Sequence, residues 1–421
     1  MSATTAPVPR PDGRRARPVR RRVRSRRTLW LLLVAVAVAL PSAAYVADAP
    51  DLTSAGLAGA TLRFSVPILL AGLGGLWAER SGTLNLGLDG MMIIGSWSGA
   101  WVGLQFGPWA ALLGGVVGGA LCGLLHAVVT LAWGVDQAIA GIVINMASIG
   151  VVRFLSSITF ANEPGGSISQ SPPLENLPTV SLPLARVVLE PVGEAGVPFV
   201  SAWARLLTGL LTDVSVATVL GLLLVPFTWW VLARSRFGLH LRACGENPSA
   251  ADSLGVSPNR VRYLSQTVSG AFAGLGGAYL VLAASSVYRE GQVAGRGFIG
   301  LATVLFGNWT PGGVLGGSLL FGFADAVSTR QAASVTALLL IGGVGLALRA
   351  GWLYRDGRRQ EATGHLVVGV LVLAWFTLGP PVPRELVTMA PYLTTLVVLV
   401  VARQTLRPPA AVGVPYRRSD E

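Results

Sequence analysis

The sequence predicts an all-α, polytopic transmembrane bundle of about 10–12 spans, with one short polar helix held between two of them. Three observations carry this. Of 421 residues, 52% are hydrophobic and only 12% are charged, about half the charge of an ordinary soluble domain. Apolar runs recur along the chain, each near the length of about 20 residues that crosses a bilayer as a helix. The 53 glycines suit helices that approach backbone to backbone in lipid.

Residues 1–28 read as an arginine-rich, disordered cytoplasmic tail. Ten arginines between Arg10 and Arg27 face Asp12 alone, so this tail holds +9 of the net +12. Such a charge run can bind nucleic acid. Directly before an apolar run it instead marks a cytoplasmic flank, and no nucleic-acid partner is expected. The membrane domain is placed at 29–406. Its first run, 29–46, follows SRRTL (25–29), which is similar to a twin-arginine export signal; the many later spans favour an uncleaved helix. The run 57–78 ends in the polar stretch ERSGTLNLG (79–87). Runs 91–106 and 109–132 are separated by Gly107-Pro108, and the second contains GGVVGG (114–119), a flat packing face. Another run covers 138–157.

The stretch 158–213 is weakly apolar, with seven prolines, five acids and two arginines. Its charge places it outside. A run at 214–233 follows. The loop 234–262 carries five arginines against Glu246 and Asp252, which places it in the cytoplasm. Then come 263–284, a connection at 289–296, two glycine-rich runs around FGNWTPGG (306–313), and 335–348. Arg349, Arg355, Arg358 and Arg359 put 349–364 inside. Runs 365–378 and 386–402 precede a basic cytoplasmic tail, 407–421. Both termini are expected in the cytoplasm, and membrane lipid surrounds the spans.

Within CGENPSAADSLGVSPNR (244–260), Asn247 suits an N-cap, Pro248 the first helical position, and Gly255 the residue past the end. These predict a helix over 248–254. Ser257-Pro258 restarts a helix in the same way. A stiff element between two spans can transmit force, although an ordinary solvated loop with tidy caps reads equally well from composition.

The stretch GLHLRACGENPSAADSLGVSPNRVRYLSQTVSGAFAGLGGAYL (238–280) resembles the cytoplasmic loop and following helix of the branched-chain-type ABC importer permeases, nearest their nucleoside and simple-sugar branch. Three more stretches are similar to that family: ERSGTLNLGLDGMMIIG (79–95), with Asp89 where Glu is usual; GRGFIGLATVLFGNWTPGGVLGGSLLFGFADA (295–326); and PYLTTLVVLVVARQTLRPPAAVGVPY (391–416). The resemblance covers 61–325 and 391–416. It implies that 248–254 is a coupling helix docking on an ATPase subunit, through Gly245, Glu246, Asn247, Pro248, Ala251 and Gly255. It implies a nucleoside as solute, with a simple sugar as the alternative. It also implies a sister permease in a heterodimer and an extracytoplasmic substrate-binding lipoprotein, in a bacterial plasma membrane. The pair of runs at 335–383 departs from the pattern as an added helix pair.

ATP must be used elsewhere. Phosphate loops of the form GxxxxGK[ST] need lysine, and all 32 basic residues here are arginine. No cofactor is expected on this chain, no catalysis, and no metal. ATP-Mg would be used by the partner ATPase. Cys122 and Cys244 stand apart, and His126, His240 and His365 are isolated, so neither a metal cluster nor a disulfide is expected.

Polar groups within spans are costly and default to function. The candidate translocation path is Arg63, Asn85, Gln137, Asn145, Asn308 and Trp309. For each a quieter role competes: snorkelling for Arg63, helix-to-helix bonding for the amides, an interfacial position for Trp309. Glu79 and Arg80 read as path residues or as an Arg–Glu pair, and Asp325 as a path acid or a helix-end residue. With no cluster of intramembrane charges evident, a neutral polar solute is expected. An ion-coupled carrier would need acid or histidine relays and an inverted repeat, and a membrane enzyme a convergent polar set; the sequence offers neither clearly.

Overall fold

The computed structural model describes residues 37–197, 199–330, 332–380, 382–389 and 406–416. The arginine-rich tail, the start of the run 29–46 and most of the run 386–402 lie outside the described residues. The helices are α1 Ala37–Val46, α2 Ala55–Arg80, α3 Leu88–Phe106, α4 Pro108–Ala127, α5 Gln137–Thr159, α6 Glu190–Glu194, α7 Val200–Leu211, α8 Val216–Arg234, α9 Arg236–Glu246, α10 Pro248–Ser253, α11 Pro258–Tyr279, α12 Arg296–Phe306, α13 Pro311–Ser328, α14 Ala332–Arg355, α15 Arg359–Leu378 and α16 Arg384–Thr388. One antiparallel pair of two-residue strands, β1 Thr179–Val180 and β2 Val214–Ser215, closes the region between α5 and α8.

Among the described residues seven helices are long and apolar enough to cross a membrane. Parts of the expected runs 29–46 and 386–402 lie outside this count. The glycine-rich α3 and α13 have 19 and 18 residues, and α1, α7 and α12 are shorter still. The stretch 158–213 contains α7, which packs on the first turns of α2, where Gly59 and Gly209 let the backbones meet.

Local chemistry sets these ends. The Ser54 side chain accepts from the Leu57 amide at 3.1 Å and starts α2. Asp136 does the same for α5, accepting from Ala138 and Ile139 at 2.9 and 3.0 Å. Gly107, at φ +85°, turns the chain between α3 and α4, and Pro108 fills the first position of α4. The GGVVGG motif serves two neighbours at once. Gly114 and Gly118 receive α3 at Val102 and Ser98, while Gly115 and Gly119 receive α11 at Gly274 and Gly270. A methyl group at Gly119 would run into the Gly270 carbonyl.

The core is α2, surrounded by α3, α7, α8, α11, α12 and α13. Its 26 residues include Leu69, Leu70, Leu73 and Leu76, all buried. The hairpin α14–α15 packs mainly on itself, and only 22% and 11% of its two spans are buried in this chain.

Candidate functional site

The loop read as rigid is a capped helix. The Asn247 side chain accepts from the Ala250 amide at 3.0 Å, Pro248 begins α10, and Gly255 takes φ +82°. The helix ends at Ser253, one residue short of the expectation, because Leu254 turns to ψ 10°. Ser257 precedes α11 without a side-chain cap bond. The six coupling candidates divide by burial. Gly245 is buried against the Arg80 carbonyl, and Ala251 is only 3% exposed. Both therefore hold the loop to the bundle. Glu246, Asn247 and Gly255 face outward, with Pro248 half-buried. Beside them stands Leu254, 85% exposed, an outward apolar side chain the sequence reading passed over. Burial pushes the Cys244 thiol up, against the effect of the nearby Arg262.

At this same end the chain breaks between α2 and α3, and the amide candidates bond the break. Gln137 Oε1 accepts from the Leu84 amide at 2.6 Å. Asn145 donates to the Leu86 carbonyl at 2.8 Å and accepts from the Gly90 amide at 2.7 Å. Asn85 accepts from the Gly87 amide at 3.0 Å and donates to Ser269 at 2.9 Å. Unpaired backbone groups inside a membrane are expensive, and these three side chains satisfy them. His126 joins the network despite its isolation in sequence. Its Nε2 is 3.2 Å from the Gln137 carbonyl, and Nδ1 meets the Gln266 amide, whose Oε1 accepts from Thr83 at 3.1 Å. Nothing in the spacing announces this, because the partners lie far apart along the chain.

Glu79 and Arg80 form no ion pair with each other. Both turn to Trp309, whose indole donates to the Glu79 carboxylate and whose carbonyl accepts from Arg80 Nε and Nη2 at 3.1 and 2.6 Å. Trp309 is 3% exposed, so its ring face is committed to packing. Asn308 accepts from the Arg407 amide at 3.0 Å. Arg262, counted as a loop charge, is fully buried; it donates to the Ser81 and Val414 carbonyls at 3.3 and 3.0 Å. Arg63 lies elsewhere, toward the opposite end, in a cavity of about 240 Å³ with Gly59, Gly209, Thr212, Asp213 and Thr218.

A cluster of charges, which the sequence did not reveal, joins α3, α12 and α13. Arg296 Nη2 is 2.6 Å from Asp325 Oδ2. One residue along, the Gly297 amide donates to Asp89 Oδ1 at 2.9 Å. Arg296 also covers the Phe64 ring at 5.9 Å. Its members lie about 30 and more than 200 positions apart, so the sequence shows only scattered charges.

The family model described as branched-chain amino acid transport system / permease component matches residues 57–375, through most of the α14–α15 pair. The guanosine ABC transporter permease protein NupQ of Bacillus subtilis is 30% identical over 364 residues, covering 85% of this chain and 95% of that protein. The nucleoside ABC transporter permease protein NupC of Lactococcus lactis is 30% identical over 365 residues, with the same shares. The putative glucose ABC transporter permease protein TsgC13 of Haloferax volcanii is 35% identical over 279 residues, 66% of this chain and 78% of that protein. No solved structure matches the chain.

Proposed function

Because the chain belongs to the permease-component family of the branched-chain amino acid transport systems, we propose that it is the membrane-spanning subunit of an ATP-driven ABC importer for a small polar solute, a nucleoside in the first place and a simple sugar in the second. The observation that carries this is the near end-to-end similarity to guanosine and nucleoside permeases, set against a shorter match to a glucose permease. The seven long apolar helices among the described residues suit a multi-pass protein, here of a bacterial plasma membrane, with both termini and the α10 end in the cytoplasm.

The mechanism is alternating access. A separate ATPase subunit binds and hydrolyses ATP-Mg, and this chain holds no cofactor. Closure of the ATPase pair pushes on α10 through Glu246, Asn247 and Leu254. Gly245 abuts the Arg80 carbonyl, and Arg80 holds Trp309. A push on α10 therefore bears on the end of α2 and on the α12–α13 turn together. A sister permease completes the path as a heterodimer, and an extracytoplasmic binding lipoprotein delivers the solute to the opposite end.

Leu254→Asp tests the docking surface. It should leave the chain folded, because the side chain is exposed, and weaken co-purification of the ATPase. Unchanged ATPase association and unchanged uptake would contradict docking through α10.

A further inference from the structure

The charge cluster has a depth, a shape and unused donors. Phe64, which Arg296 covers, is the tenth residue of α2 and so about 14 Å below its start at 1.5 Å per residue. Leu88, next to Asp89, touches the position of Gly75, further down the same helix. The cluster thus lies within the span, below the first two turns of α2. Charges at such a depth are costly in lipid and belong beside water or another polar surface. Arg296 and Asp325 remain 15% and 23% exposed, so they are not sealed in the bundle as a buried structural pair is.

Two helices begin here. Asp89 sits in the first turn of α3, and Arg296 opens the 11-residue α12. Discontinuous helices that meet inside a membrane leave polar backbone and charge at one place, the arrangement that holds solutes in transporters. Arg296 Nη1 is used by the Gln292 carbonyl at 2.9 Å. Arg296 Nε and Gln292 Nε2 are buried with no hydrogen-bond partner among the described residues. Two such donors four positions apart are uncommon in a finished core, where buried polar groups are paired.

We propose that Asp89, Arg296 and Asp325, with Gln292, form a polar station in the translocation path that takes the vicinal hydroxyls of a neutral solute. This rests on the import reading above. Two carboxylates and one guanidinium sum to a formal −1, which disfavours anions and favours hydroxyl donors. Adjacent hydroxyls can donate to Asp89 and Asp325, and Arg296 and Gln292 can donate to the solute's oxygens. A ribose and a pyranose share this chemistry, so the station alone does not choose between them.

The test uses the whole complex, with ATPase, sister permease and one unchanged binding protein, in proteoliposomes. Labelled guanosine, 2′-deoxyguanosine, glucose and 2-deoxyglucose are the probes. Wild type should import the hydroxylated member of one pair in preference to its deoxy analogue. Asp325→Asn and Asp89→Asn should reduce that ratio by about tenfold, the worth of one hydrogen bond to a charged group; Asp89→Glu should keep it. The swap Arg296→Asp with Asp325→Arg should restore co-purification of the complex without restoring the ratio, whereas a purely structural pair would recover both. If wild type imports a probe and every variant that assembles keeps its ratio, the station is excluded while the import reading stands. If wild type imports none of the four, both fall together. Should the aspartate variants fail to assemble, Gln292→Leu, which removes the unpartnered Nε2 and two long bonds that Oε1 accepts from the Arg289 amide and Ser285 at 3.3 and 3.4 Å, must still lower the ratio.

Discussion

Gly82 and Gly245 show how tightly single residues define the α10 end. Gly82 takes φ +89°, and a Cβ there would meet Arg262 Nη2. At Gly245 a Cβ would overlap the Arg80 carbonyl. Gly245→Ala should therefore displace α9 from α2 and lower the melting temperature of the purified chain. An unshifted melting curve would show that the loop is not seated on the bundle. Asn145→Leu removes two bonds to the break and leaves the Gly90 amide and Leu86 carbonyl without partners. The expected cost is about 1–3 kcal/mol of stability, read by thermal unfolding in detergent. A solute-contact role alone would instead change uptake without moving the melting point. The sequence exposed Asn145 as an amide within an apolar run, with Gln137 at the edge of that run and Asn85 in the polar break after the run 57–78. It could not show that Gln137 and Asn145 bond backbone groups of the α2–α3 break, or that Asn85 reaches Ser269. For Glu79 and Arg80 it left a path role and an Arg–Glu pair open, and it could not show that both side chains meet Trp309, some 230 positions away.

At the level of elements, α10 was legible because capping is local. Asn247, Pro248 and Gly255 act within one turn of the helix they bound, and the expected end missed by a single residue. The packing of GGVVGG was legible as a flat face, but not its service of two neighbours. Least legible was the role of 406–416. This segment straps three elements together at the α10 end. The Ala411 amide donates to the Gly245 carbonyl at 2.8 Å, the Gly413 amide to the Gly82 carbonyl at 3.2 Å, and the Arg407 amide to Asn308 at 3.0 Å. Composition marks it only as a basic tail with prolines. Deleting 407–421 should leave a complex that still assembles but imports less solute per ATP hydrolysed, because α10, the α2–α3 break and the α12–α13 turn are no longer tied. An unchanged transport-to-hydrolysis ratio would show the strap to be passive. The α14–α15 pair, so little buried in this chain, should be removable without loss of the core fold. Protease-resistant α2–α13 in the excised protein would confirm this, and wholesale degradation would contradict it.

For the whole molecule, the class was readable from composition and loop charge, because the bilayer restricts spans to closed hydrogen-bonding structures. Which apolar runs are shorter than a span was not. Glycine-rich half-helices such as α12 have the hydropathy of a span without its length, and only their packing against α2 distinguishes them. The same packing brings Asp89, Arg296 and Asp325 together inside the bundle, which a linear reading of separated charges could not foresee. What unites these features is a push at α10 delivered to broken helices around α2. The most direct measurement is uptake of labelled guanosine into proteoliposomes holding this chain with its ATPase, sister permease and binding protein, with and without ATP-Mg. Uptake that requires ATP hydrolysis and is lost with Leu254→Asp is the predicted result. Uptake that proceeds without ATP, follows an ion gradient and ignores Leu254→Asp would contradict the account.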